Sequence, residues 1–278
     1  MKILVTGSAG MIGRALVKGL LDDGFEVIGV DRRLGNDGRA RYIMVDLGNR
    51  EMLAEVIREH NPDKVVHLAA LAHTTGEDDL SYEKYYHVNV ECAENVFHVA
   101  ENRPLLFIST VDVFGFTKGI VTAESEIHPV TFYGKTKALA EESCRQTCSH
   151  YTIFRLSPVY TPTVKRDIQK RYYLKFPNWA YVIGKGTEYE VLNIDLAVEK
   201  MVEWCKNSAD NQIHIIKDEL PMNTRDYIQR EKSEGRAKHV IRMPRWIAVT
   251  GYSVLRFFTG KNKYTYLLNK AVHPLKSK

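Results

Sequence analysis

The stretch Thr6-Gly7-Ser8-Ala9-Gly10-Met11-Ile12-Gly13 constrains this chain more than any other, because it is entered from the apolar run Ile3-Leu4-Val5 and left through Ala15-Leu16-Val17. That order reads as strand, glycine turn, helix. Glycines at 7, 10 and 13 let the backbone turn tightly, admit a pyrophosphate to the amides, and let the helix pack on the strand it left. The helix N-terminus then offers unpaired N–H groups and the positive end of its dipole. A second apolar run, Phe25 to Val30, ends at Asp31. That lies about twenty residues beyond the turn, where a carboxylate meets the ribose hydroxyls of an adenosine. The stretch therefore reads as a dinucleotide site rather than a plain structural turn.

The segments that follow alternate in the same sense. Arg32 to Arg41 reads as a loop, Tyr42-Ile43-Met44-Val45 as a strand ending at Asp46-Leu47, and Arg50 to His60 as a helix. Lys64 to Ala70, through Leu68-Ala69-Ala70, is a buried strand running into small residues that leave room for a flat ligand. Helical periodicity runs from Tyr85 to Glu101 and carries Asn89. Leu105 to Ile108 is the next strand and ends in Ser109-Thr110-Val111-Asp112; continued extension would put Thr110 and Asp112 on one face. A helix begins near Phe132, Tyr151 to Leu156 is another strand, and Asp195 is the expected N-cap of a helix to Cys205. Tyr181 to Ile183 and Ile213 to Ile216 read as later strands. Such spacing implies a parallel, doubly wound sheet with ligands at the carboxyl edge.

At 278 residues the chain can bury a full core. It opens directly on a strand, so no signal peptide is read, and no apolar run reaches the length that spans a bilayer. Cys92, Cys144, Cys148 and Cys205 lack CxxC spacing and histidine partners, which argues against a metal site and fits a reducing, cytoplasmic setting. The net charge of +5 is uneven: Arg230 to Lys278 holds twelve Lys/Arg against two acids, a local +10. A solvated basic face is the default reading, with no nucleic-acid partner expected.

Chemistry points to Tyr133 and Lys137, one helical turn apart on the same face. A tyrosine with a pKa near ~10 is a poor base at neutral pH, and a neighbouring ammonium stabilises its phenolate. Tyr133 can then take a proton from a substrate hydroxyl as hydride leaves the same carbon. Thr110 would orient the reacting oxygen. His67 and His73 are read as strand-end structure rather than as catalysts.

The glycine turn, Asp31, Asp46-Leu47, His67-Leu68-Ala69-Ala70, Asn89 with Asn95, Ser109-Thr110 leading to Val113-Phe114-Gly115, Glu124, and Tyr133 with Lys137 run in one order over roughly the first 160 residues. In that order they resemble the extended short-chain dehydrogenase/reductases, the nucleotide-sugar epimerase and dehydratase group. The resemblance implies a Rossmann-type core over 1–160, with a sheet of roughly seven strands. A small C-terminal substrate lobe, 161–278, returns some segments to the core. It implies Tyr133, Lys137 and Thr110 as the catalytic set. The cofactor residues it implies are Gly7, Gly10, Met11, Ile12, Gly13, Asp31, Arg32, Asp46, Leu47, Leu68, Ala69, Ala70, Asn89, Tyr133 and Lys137. NAD is the expected cofactor from Asp31, while Arg32 and Arg33 leave NADP open. A homodimer is implied by resemblance alone.

Departures bear on the substrate. The group often writes Arg-x-x-Asn-Val-Tyr-Gly-Pro, whereas Arg155-Leu156-Ser157-Pro158 has proline at the asparagine position, and Tyr189-Glu190 stands where an arginine usually meets a nucleotide diphosphate. Asp112, Lys165 and Arg166 are the substrate candidates, with Lys170 and Arg171 nearby. Thr110-Val111-Asp112 carries a single acid, so dehydration ranks below epimerisation, and epimerisation ranks slightly above keto-sugar reduction. A dinucleotide-sensing binding protein is the alternative from another class. Trp246 to Phe258 is expected as a helix packed on the lobe, with peripheral membrane contact of its basic neighbours as the other reading.

Overall fold

Side chains alternate between two apolar layers along each buried strand, and this alternation builds the molecule. In the computed structural model, which describes residues 1–72, 81–100, 102–117, 119–161, 169, 171–174, 177 and 179–278, seven parallel strands form one sheet. Their order is Ile213–Ile216, Tyr151–Leu156, Leu105–Thr110, Lys64–His67, Lys2–Thr6, Glu26–Asp31, Arg41–Met44. Leu4, Val65, Leu105 and Phe107 point into one core, and Ile3, Val5, Val66, Leu106 and Ile108 into the other. Helices Arg50–His60, Cys92–Ala100 and Phe132–Thr147 cover the first core, while Met11–Asp22 and Ile194–Lys206 cover the second. A period of two with both faces covered is what a parallel sheet requires.

The chain moves outward from Lys2–Thr6 to Arg41–Met44 and then returns to Lys64–His67 on the other side of the first strand. That reversal opens a crevice at the carboxyl ends of the first and fourth strands. The glycine turn sits there.

Three local expectations change. The strand ending at Thr110 is followed by a 3-10 turn, Val111–Phe114, so extension stops and Thr110 and Asp112 do not share a strand face. The helix expected from Tyr85 starts at Tyr82 and is interrupted by a π-helical turn at His87–Glu91 that holds Asn89. The cap of the helix Ile194–Lys206 is Asn193, whose side chain accepts from the Asp195 amide, in place of Asp195 itself.

A smaller core of Tyr172, Ala180, Val182, Tyr189, Val191, Met222, Ile228 and Ala237 lies beyond the sheet. Two helices close the chain: Arg245–Thr259, as expected in extent, and Lys263–Val272. The expected packing of the first on the lobe is reversed for most of its apolar residues. Tyr252 is buried, whereas Trp246, Ile247, Val254, Phe257 and Phe258 face outward. All four cysteines are free and buried.

Candidate active site

The glycine turn leaves no room for side chains. Gly7 has φ +71, a Cβ on it would lie 2.6 Å from the Ala69 amide nitrogen, and a Cβ on Gly13 would lie 2.1 Å from the Gly7 carbonyl oxygen. The helix starting at Met11 has Gly10 as its N-cap and no capping side chain. Its first amides therefore lack the partner a serine or aspartate would supply. Asp31 braces the turn: one carboxylate oxygen accepts from the Ala9 amide at 3.1 Å, the other from the Arg33 amide at 3.1 Å. Arg32 is exposed beside it. The loop Asp46-Leu47 follows the strand Arg41–Met44 and Leu68-Ala69-Ala70 follow Lys64–His67, strands of one parallel sheet, so all these residues lie along its carboxyl edge.

Asn89 joins that edge to the next helix. Its amide accepts from the Leu71 N–H at 2.7 Å and donates to the Leu71 carbonyl at 3.1 Å and to Thr136 Oγ1 at 3.0 Å. A buried amide that uses both its N–H donors and its carbonyl oxygen fixes the helix Phe132–Thr147 against the crevice.

The start of that helix presses on the Thr110 turn. A Cβ on Gly134 would lie 2.8 Å from the Asp112 carbonyl oxygen, so only glycine allows this approach. Thr131 caps the helix through the Gly134 amide at 2.9 Å. Tyr133, half-buried, and Lys137, fully buried, stand one turn apart on it. The Lys137 ammonium lies 3.9 Å from the centre of the Phe107 ring. Burial lowers its pKa to about 7, with Glu141 opposing the shift. Thr110 Oγ1 accepts from the Asp112 amide at 3.2 Å. That leaves its O–H hydrogen to donate.

Beneath this group lies a buried ion pair. Arg155 Nη2 donates to Glu141 Oε2 at 2.7 Å and its Nη1 to the Ala123 carbonyl at 2.9 Å, while Ser109 donates to Glu141 Oε1 at 2.5 Å. His67 is also structural in its surroundings. Its Nδ1 meets Thr6 Oγ1 at 2.6 Å, its ring stacks 5.6 Å from Phe107, and burial, with Lys137 nearby, lowers its pKa to about 3.

Asp112, expected at the substrate, is taken up by the protein. It accepts from Thr131, from the Lys270 ammonium, and from the Tyr266 hydroxyl at 2.9 Å. Burial works against its charge, and these donors outweigh burial to hold the carboxyl below the usual range. Tyr266 and Lys270 escaped sequence reasoning. The signal was present in Asn262-Lys263-Tyr264-Thr265, which forms a capping box at the head of their helix. His73, Lys165, Arg166 and Lys170 lie outside the described residues. Among the described residues no group of three or more His, Cys, Asp or Glu is placed to hold a metal ion.

The chain is similar to several known proteins. A dTDP-4-dehydrorhamnose reductase of Aggregatibacter actinomycetemcomitans is 31% identical over 144 residues, covering 50% of this chain and 45% of that protein. UDP-glucose 4-epimerase 2 of Arabidopsis thaliana is 32% identical over 162 residues, covering 51% of this chain and 46% of that protein. The chain thus spans about half the length of these curated relatives. The crystal structure of UDP-glucuronic acid 4-epimerase from Bacillus cereus in complex with NAD superposes with a TM-score of 0.71 at 23% identity, covering 88% of each chain. The model of the NAD dependent epimerase/dehydratase family matches residues 3–197, which include the glycine turn, Thr110, Tyr133 and Lys137. The chain belongs to that family.

Proposed function

We propose that this chain is an NAD(P)-dependent epimerase of a nucleotide-activated sugar, with Tyr133 as the acid and base. The observation that carries the reading is the buried Lys137 one turn from Tyr133, on a helix pressed by Gly134 against the Thr110 turn.

A dinucleotide fits the residues present. The cradle at Gly7 and Gly13 that a Cβ would fill, and the uncapped helix at Gly10, suit a pyrophosphate; Asp31 suits the adenosine ribose. Met11, Ile12, Arg32, Asp46, Leu47, Leu68, Ala69, Ala70 and Asn89 complete the proposed wall. When bound, the nicotinamide supplies hydride acceptance and return.

The chain's own part is the proton. Thr110, its Oγ1 already accepting from the Asp112 amide, donates to the substrate oxygen and fixes it. Tyr133 removes the hydroxyl proton and later gives it back. Lys137 stabilises the phenolate while protonated, and burial pulls its pKa down to about 7, toward neutral pH. The names of the relatives support a nucleotide sugar as substrate.

A reductase of a keto-sugar is the second reading, favoured by the similarity to a dTDP-4-dehydrorhamnose reductase. Incubation with UDP-hexoses and with dTDP-keto-sugars, following both product ratio and reduced-nicotinamide absorbance, separates the two. Interconversion of hexose epimers without net change in absorbance is expected. Stoichiometric consumption of reduced cofactor establishes the reductase, and cofactor binding without turnover of either class favours a sensing protein.

A further inference from the structure

The helix Arg245–Thr259 is amphipathic in the inverted sense. At 3.6 residues per turn, Trp246, Val254, Phe257 and Phe258 fall within one broad sector. That sector faces away from the protein, with Trp246 70%, Phe257 84% and Phe258 78% exposed. The inward face carries the polar group: the Arg256 guanidinium donates to the Tyr252 hydroxyl at 2.8 Å and lies 5.4 Å from the centre of the Phe116 ring. The following helix, Lys263–Val272, repeats the pattern. It buries Thr265, Tyr266, Asn269 and Val272 and exposes Tyr264 and Leu267. A soluble surface rarely shows so many aromatic and aliphatic side chains together unless something covers them.

Charge identifies what covers them. After Glu234 the sequence has ten Lys/Arg and no Asp or Glu. Arg242 and Lys261, both exposed, stand just outside the two ends of the first helix, beside Trp246 and Phe258 in sequence. A second copy of the chain docked here by a two-fold axis would set this positive segment against itself, which is repulsive. An anionic bilayer complements both parts: its headgroup region accepts Trp, Phe and Tyr, and its surface potential attracts the lysines and arginines. Among the described residues no helix is long and apolar enough to cross a membrane.

We infer that the helix pair 245–272 docks the protein on an anionic lipid surface, lying in the interface with Trp246, Phe257 and Phe258 inserted. The pair is fastened to the body through Tyr266 and Lys270 on Asp112, so docking holds the catalytic edge at a defined distance from the membrane. This inference does not depend on which reaction the site performs.

The test is co-sedimentation of the full chain with vesicles of phosphatidylcholine, with and without phosphatidylglycerol, at low and high salt. Pelleting with anionic vesicles at low salt, released by high salt, is expected. Phe257→Ser with Phe258→Ser should reduce the bound fraction about tenfold, and Arg242→Gln with Lys261→Gln should weaken its salt dependence. Leu220→Ser, at another exposed position, should leave it unchanged. A blue shift of tryptophan fluorescence on adding anionic vesicles, absent in Trp246→Phe, reports insertion directly. Because the substituted side chains are exposed, each variant should melt with the parent. The inference is overturned by no pelleting with anionic vesicles, by equal pelleting of the phenylalanine double variant, or by a dimer that this variant dissociates without any vesicle binding.

Discussion

The hydroxyl of Tyr266 donates to the Asp112 carboxylate at 2.9 Å, joining residues 154 positions apart. With Lys270 and Thr131 on the same carboxylate, one half-buried acid locks the C-terminal helix to the turn that carries Thr110. Asp112→Asn leaves the Lys270 ammonium without its counter-charge and should cost about 2–4 kcal/mol in urea unfolding. Tyr266→Phe removes one hydrogen bond to a charged group and should cost less, about 1–3 kcal/mol. Equal stability of Asp112→Asn and the parent would show that the clamp contributes nothing.

Tyr133→Phe keeps the ring and removes the proton carrier. Turnover should fall by roughly 10²–10⁴, with dinucleotide affinity held within a few-fold. Isothermal titration and steady-state rates read the two quantities apart. Retained turnover would remove Tyr133 from the acid–base role.

Lys137 has a folded pKa of about 7 against an ordinary 10.5, lowered by burial. Between those values the unfolded chain binds the extra proton, so stability of the ligand-free protein rises with pH across that window; below it the penalty is complete. Lys137→Met should flatten the rise and stabilise the ligand-free protein at neutral pH by about 1–3 kcal/mol while abolishing turnover. Urea unfolding at neutral and alkaline pH measures it, and an unchanged slope would contradict the burial argument.

His67 acts in the same direction at lower pH. Its pKa is lowered to about 3 by burial, with Lys137 adding to the shift. From its ordinary value of 6.5 downward the unfolded chain binds the proton first, so stability falls as pH falls, by up to about 1.4 kcal/mol per pH unit from this group. His67→Phe, set between Phe97 and Phe107, should lose that part of the acid dependence at the cost of the Thr6 contact. Parallel acid curves for the two proteins would refute it.

Sequence by itself determined the parts governed by local rules. The glycine turn was legible because Gly7 and Gly13 occupy places that any Cβ would fill. Arg50–His60 was legible because its periodicity matches the face it buries, and Tyr151–Leu156 because its β-branched and aromatic residues suit a strand. The pair Tyr133 and Lys137 was legible because one turn of helix brings side chains four apart together.

Tertiary structure decided the rest, because distant segments meet only after the sheet has closed. Asp112 looked available for a substrate until a helix 154 positions away supplied Tyr266. The strand reading beyond Thr110 yielded to a 3-10 turn because the Thr110 side chain takes the Asp112 amide. Periodicity showed that Arg245–Thr259 has an apolar face and said nothing of its direction; packing turned Tyr252 and Arg256 inward and left Phe257 and Phe258 outside. A hydrophobic pattern defines which residues share a side, and only the contacts made by the opposite side determine where that side points.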